Sequence, residues 1–280
     1  MDSRTRVKLR TLLEDFSRHY GPAYLPTSAL WVPRQYHCPE DQEIAGFVTA
    51  SLAYGNVVQI QRSAASALAR MGESPAAFVR RFDPRADARR FRGFAHRFNT
   101  GTDLAVLLYL LRQVLDKYGS LYTFFLEGYH AADEDIGPAL IRFVESLRAL
   151  DVSPFYRGGR LPPGAGVHFF LPSPASGSAC KRLTLYLRWM VRRDDGIDFG
   201  LWIGVRPAHL IIPLDTHVTR LARKLSLTRR KGADWRTAQE VTRCLRTLDP
   251  DDPIRYDFAL CRYGMLEESR IRRRNLPGGG

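Results

Sequence analysis

Lys181 and Asp215 are the two residues whose types and settings could carry covalent chemistry. Lys181 follows a tight turn ending in small residues, Pro172-Ser173-Pro174-Ala175-Ser176-Gly177, and opens an apolar helical stripe through Leu183, Leu187 and Met190. A turn of this kind feeding a helix exposes backbone N–H groups that can hold a phosphate. The helix dipole works against the ammonium form of a lysine placed there, and a free amine is what attack on an electrophilic carbon requires. Asp215 comes after the apolar run Leu210-Ile211-Ile212-Pro213-Leu214 and opens the next helical segment, Asp215-Thr216-His217-Val218. A carboxylate fixed in that place is pre-organised to stabilise a developing positive charge. Each residue also has an ordinary duty that the local sequence leaves open. Lys181 can be a solvated or phosphate-gripping cation. Asp215 can be a helix N-cap, worth about 1 kcal/mol, and capping is compatible with catalysis.

Helical periodicity accounts for nearly all of the chain that must position these two groups. Leu9, Leu12, Leu13 and Phe16 predict a first amphipathic helix. The proline-rich stretch from Pro22 to Pro39 reads as an extended arm laid over the body. Helices are then expected over Asp41 to Leu52, Val57 to Met71, Ser74 to Phe82, Thr102 to Tyr118, Leu121 to Leu126 and Ile136 to Leu150. Asp151 to Ser176, dense in Pro and Gly, is the one long irregular stretch, and its Val167-His168-Phe169-Phe170-Leu171 is too apolar to float free. Further helices are expected near Ala179 to Arg192, Thr216 to Leu225, Trp235 to Leu248 and Pro253 to Tyr263, followed by a frayed tail over Ser269 to Gly280. No strand alternation persists and no internal repeat is present, so the class is all-α.

The composition narrows the partner. Hydrophobic residues make up 45% of the 280 and charged residues 25%, as in ordinary globular proteins, but the net charge of +13 is not ordinary. A basic excess of this size favours nucleic acid. Cys38, Cys180, Cys244 and Cys261 lie far apart and form no Cys-x-x-Cys pair, which argues against a zinc ribbon, a disulfide framework or a compact iron–sulfur loop. No apolar run reaches the ~20 residues a membrane span needs, and Met1 to Tyr20 lacks a signal-peptide core. The expected location is the cytoplasm.

The order of these features resembles the helix-hairpin-helix DNA glycosylase superfamily, the group of endonuclease III and the 8-oxoguanine glycosylases. Its bifunctional members end the hairpin in Gly-x-Gly-x-Lys, with the lysine as nucleophile and a later aspartate before a helix. Gly177 and Lys181 match that pattern, with Ala179 at the second glycine, and Pro213-Leu214-Asp215-Thr216-His217-Val218 matches the later segment. Gly46 to Asn56 is similar to the family's early helix and the turn after it, which often carries an asparagine or glutamine directed at DNA; Asn56 or Gln59 would serve. A closer likeness is to a bacterial conserved-hypothetical family assigned to that superfamily. Its hallmarks look like Ala53 to Asn56, Leu187 to Arg192, Phe199 to Trp202, Pro213 to His217 and Tyr256 to Leu260.

The resemblance implies a two-lobed helical glycosylase fold acting on a damaged base flipped out of duplex DNA. Its parts would be an N-terminal helix and arm (1–40), a first lobe (41–150), a crossover loop (151–176), a second lobe carrying hairpin, nucleophile and aspartate (177–265), and a basic tail (266–280). Lys181 and Asp215 would be catalytic. Tyr54, Asn56, Gln59, Gly177, Ser178, Arg182, Arg188 and His217 would contact DNA, with Arg192 and Arg193 also tracking phosphates. Trp189, which precedes an Asp194 to Val205 insertion absent from endonuclease III, and Trp202, which lies within it, would stack on the flipped base. No metal, cofactor or iron–sulfur cluster is expected, because the four-cysteine cluster of endonuclease III is missing. Two alternatives remain: a monofunctional glycosylase in which Asp215 activates water while Lys181 grips phosphate, and a nucleic-acid-binding protein that keeps the fold without the chemistry.

Overall fold

The structure is a computed structural model that describes residues 2–274, with side chains described through residue 266. The fold is all-helical. Its helices in chain order are α1 (Ser3–His19), α2 (Pro39–Ser51), α3 (Val57–Ala69), α4 (Pro75–Arg80), α5 (Gly101–Tyr118), α6 (Leu121–Leu126), α7 (Gly137–Arg148), α8 (Lys181–Val191), α9 (Thr216–Lys224), α10 (Trp235–Arg246) and α11 (Asp257–Arg274). A short antiparallel hairpin, β1 (Ala95–His96) with β2 (Asn99–Thr100), precedes α5.

Local sequence starts most of these helices. Asp2, Ser74, Ser120, Asp215 and Asp234 each accept a backbone N–H from the first turn of the helix that follows. Thr100 and Asp103 form a reciprocal capping box at α5. The apolar face of α5 is buried along its length through Leu104, Leu107, Leu108 and Leu111, which makes it a core helix as its pattern predicts. The buried side chains form one connected core from Leu9 to Leu260.

Site geometry depends on how closely α2 and α8 approach. A Cβ on Gly46 would lie 2.7 Å from Met190 Cε and 3.5 Å from the Tyr186 ring, so glycine lets the two helices meet without moving the end of the Met190 side chain. That approach brings Ala53, just beyond the end of α2, against the start of α8. On the other side α9 packs on α11, and α1 packs on α11 in turn.

Three segments differ from the sequence expectation. Pro22 to Pro39 is not an extended arm: it winds through three 3₁₀ turns (Pro22–Thr27, Ala29–Trp31, Pro33–Gln35), buries Leu25, Leu30 and Pro33, and is tied down by Arg262 Nη1 donating to the Thr27 carbonyl at 2.6 Å. Proline fixes φ in the range these turns use, while Leu25 and Leu30 supply an apolar face. The β hairpin was not foreseen, since two-residue strands carry no readable period. Helix α11 continues to Arg274, past the expected end at Tyr263 and into the segment read as a frayed tail; the rest of that tail, 275–280, lies outside the described residues. No helix among the described residues is long and apolar enough to cross a membrane.

Candidate functional site

The turn that delivers Lys181 is built from two left-handed residues. Gly177 closes a 3₁₀ turn at φ 77°, and Cys180, at φ 50°, is the residue before α8. The segment between them pairs with the start of α10: Ser178 bridges Asp234, and Trp235 N–H donates to the Gly177 carbonyl at 3.0 Å. Lys181 thereby becomes the first residue of α8, whose opposite face is locked into the core by Leu183, Leu187 and Met190. Asp215 is delivered by Leu210, Ile211, Ile212 and Leu214, all buried, with the Ile212 N–H held by Thr242 Oγ1 at 3.0 Å. Its Oδ1 caps α9 through Val218 N–H at 2.8 Å, which leaves Oδ2 facing inward.

The lysine and the aspartate converge. Lys181 Nζ lies 3.9 Å from Asp215 Oδ2, with the side chains 30% and 15% exposed. Nζ also donates to the Ala53 carbonyl at 3.0 Å. Both line a cavity of about 510 Å³ whose wall includes Tyr54, Arg182, His217 and Cys261. The Cys261 thiol sits 4.0 Å from Asp215 Oδ2, and burial, with Asp215 beside it, pushes its pKa up to about 12. It therefore holds its proton at neutral pH and is no thiolate nucleophile. Asp257, one helical turn before Cys261, adds a second carboxylate to the cavity wall; burial pushes it up to about 6 against the pull of the Arg188 guanidinium. Among the described residues, no three His, Cys, Asp or Glu side chains are grouped to hold a metal ion.

The other expected contacts divide. Tyr54, Ser178, Arg182 and His217 line the same cavity as the lysine. Asn56 is exposed and caps α3 through Val58 N–H at 2.9 Å, while Gln59 is exposed with its amide on Ser63 Oγ at 3.2 Å. Neither lines the cavity. The Gly177 N–H is taken by the Pro174 carbonyl at 2.8 Å, so that donor does not face a phosphate.

Arg188 also lines that cavity, but both it and Arg192 are engaged by carboxylates. Arg188 is buried between Asp198, at 3.1 Å, and Asp257; Arg192 pairs with Asp198, Asp195 and Asp252. The Asp194 to Val205 segment thus folds back on the end of α8, with Phe199 N–H and Trp202 N–H donating to the Trp189 and Met190 carbonyls, both at 2.8 Å. A buried guanidinium flanked by carboxylates is a structural tie, and its charge is already matched. Arg193 is exposed.

Trp189 and Trp202 are core residues. Trp202 is 1% exposed, packs among Tyr122, Phe125 and Tyr186, and donates its indole N–H to Glu43 Oε1 at 2.9 Å. It leaves no ring face for a base. Trp189 reaches the cavity wall but is also 1% exposed. An open aromatic cluster lies elsewhere, at Tyr54, Phe98 and Phe169. Sequence reasoning missed Phe98 because it sits in an Arg-rich stretch with no periodicity. Asp257 was visible within Tyr256-Asp257-Phe258 but had no assigned partner.

No curated protein and no solved structure matches this chain. A family model does: its match runs over residues 29–266, from the second 3₁₀ turn to α11, and so takes in every residue of the cavity described above except Ser28. The chain belongs to that family, described as "Protein of unknown function (DUF2400)".

Proposed function

We propose that this protein is a DNA base-excision glycosylase on a two-lobed helix-hairpin-helix fold, with abasic-site lyase activity supplied by Lys181. One observation carries the reading: Lys181 Nζ and Asp215 Oδ2 stand 3.9 Å apart on the wall of one partly open cavity. The cavity draws Ala53, Tyr54 and Ile60 from before the 151–176 loop and Lys181, Asp215 and Cys261 from after it, as a cleft between two lobes would. The net charge of +13 favours a polyanion as the partner.

In the proposed reaction a damaged base enters the cavity with its sugar between the two groups. Lys181, as a free amine, forms a bond to C1′ as the C1′–N bond breaks, and the base leaves with the bonding pair. Asp215 offsets the positive charge that develops on the sugar. The adduct opens to a Schiff base, which permits strand cleavage. A second reading draws on the hydrogen bond from Nζ to the Ala53 carbonyl, a contact suited to an ammonium. There Lys181 stays a cation and Asp215 activates water, giving base release without a covalent adduct.

Both readings predict free base from duplexes carrying 8-oxoguanine, uracil or an oxidised pyrimidine, measured by chromatography of the released base. Release should be lost in Asp215→Asn. Salt-sensitive DNA binding with no abasic product from any lesion would overturn the enzymatic reading and leave a binding protein.

A further inference from the structure

An open aromatic cluster reaches the Lys181 cavity through Tyr54. Phe98 is 68% exposed and Phe169 38%. Tyr54, which lines the cavity, lies parallel to Phe98, with ring centroids 6.2 Å apart and planes 2° apart, and Phe169 sets its ring edge-on to both. Each ring has a cation on it. The Arg182 guanidinium lies 3.9 Å from the Phe169 centroid and 5.1 Å from that of Tyr54, and Arg97 lies 5.4 Å from that of Phe98. Burial lowers the Arg182 pKa to about 10, still far enough above neutrality to keep the charge.

These rings are held in place. Phe98 occupies the tip of the β1–β2 hairpin, next to Arg97 in a left-handed conformation (φ 53°). The hairpin is pinned by His96, buried, whose ring bonds Ser63 Oγ at 2.9 Å and the Tyr54 carbonyl at 3.2 Å. Asn99 pins the other strand: it accepts from the Tyr54 hydroxyl at 2.6 Å and donates to the Gly166 carbonyl at 2.9 Å. Gly55, at φ 95°, completes the fit, since a Cβ there would lie 2.9 Å from an Arg97 guanidinium nitrogen. An exposed ring held this firmly loses little entropy when something flat stacks on it, and an exposed apolar patch on a cation-rich surface calls for a flat anionic partner.

Building on the glycosylase reading, we propose that the Tyr54–Phe98–Phe169 cluster is a stacking platform for an unpaired nucleobase beside the one drawn into the cavity, with Phe98 as the ring that meets it. Base-on-aromatic stacking tolerates any base, as a repair enzyme meeting lesions in any sequence requires. The flanking guanidiniums of Arg97 and Arg182 suit the phosphates on either side of that base. A second copy of this chain fits the patch poorly, because a symmetric contact would bring the Arg97 and Arg182 pairs together.

The test compares a duplex carrying 2-aminopurine opposite an abasic site with the fully paired duplex of the same sequence. Wild-type protein should prefer the first and quench its 2-aminopurine fluorescence. Phe98→Ala should lose that preference, roughly 5- to 100-fold in affinity, together with the quenching. Its binding to the paired duplex, its salt slope and its melting temperature should stay unchanged, and Phe98→Trp should keep the preference. Equal preference and quenching in wild type and Phe98→Ala would overturn the platform alone. A wild-type dimer in sedimentation that Phe98→Ala dissolves would assign the patch to self-association instead. Absence of salt-dependent binding to either duplex would overturn the DNA reading and the platform with it.

Discussion

Asp215 holds two duties on its two oxygens, and they can be separated. Oδ1 caps α9 and Oδ2 faces Lys181. Asparagine caps a helix about as well as aspartate but carries no charge. Asp215→Asn should therefore unfold at nearly the wild-type temperature while losing base release, whereas Asp215→Ala should lose base release and about 1 kcal/mol of stability as well. Thermal unfolding of the two variants beside the release assay separates cap from carboxylate; equal destabilisation in both would contradict the split. At this scale the placement of Lys181 at the start of α8 and of Asp215 as the cap of α9 was legible because the signals are local: a small-residue turn, an apolar run and a cap. Arg188 and Trp202 were not. Their partners Asp198, Asp257 and Glu43 come from other elements, and burial is a property no single segment encodes.

The β1–β2 hairpin shows what tertiary contacts add to a segment without a sequence period. Its position depends on His96 as a neutral imidazole, with Nε2 donating to the Tyr54 carbonyl and Nδ1 accepting from Ser63. Burial lowers the His96 pKa below its ordinary value, so the folded state resists protonation more than the unfolded chain does. That contribution is complete above the unfolded value of about 6.5 and is lost as pH falls through the lower folded value. Wild type should lose stability on acidification below about pH 6.5 more steeply than His96→Asn, measured by urea unfolding across pH 4 to 8. Parallel profiles would remove His96 as the anchor. The long helices, by contrast, were legible through period and caps, and α5 is the clearest case, with Thr100 and Asp103 at one end and five fully buried leucines along it. The 3₁₀ turns of Pro22 to Gln35 were misread because proline density looks alike in an extended arm and in tight turns.

Across the molecule, the all-helical class followed from periodicity, while the meeting of α3, α8, α9 and α11 around one cavity did not. That meeting draws on long-range contacts: Gly46 packs against Met190, and a Thr242 hydroxyl far along the chain holds Ile212 and so directs Asp215. The central claim is that the cavity so formed makes Lys181 a nucleophile toward a sugar carbon in DNA. Borohydride trapping on a duplex carrying an abasic site tests it most directly. The account predicts a covalent protein–DNA adduct with wild type and none with Lys181→Gln, while both proteins bind the duplex with the same salt dependence. An adduct that survives Lys181→Gln, or a wild type that binds the duplex and forms none, would contradict it.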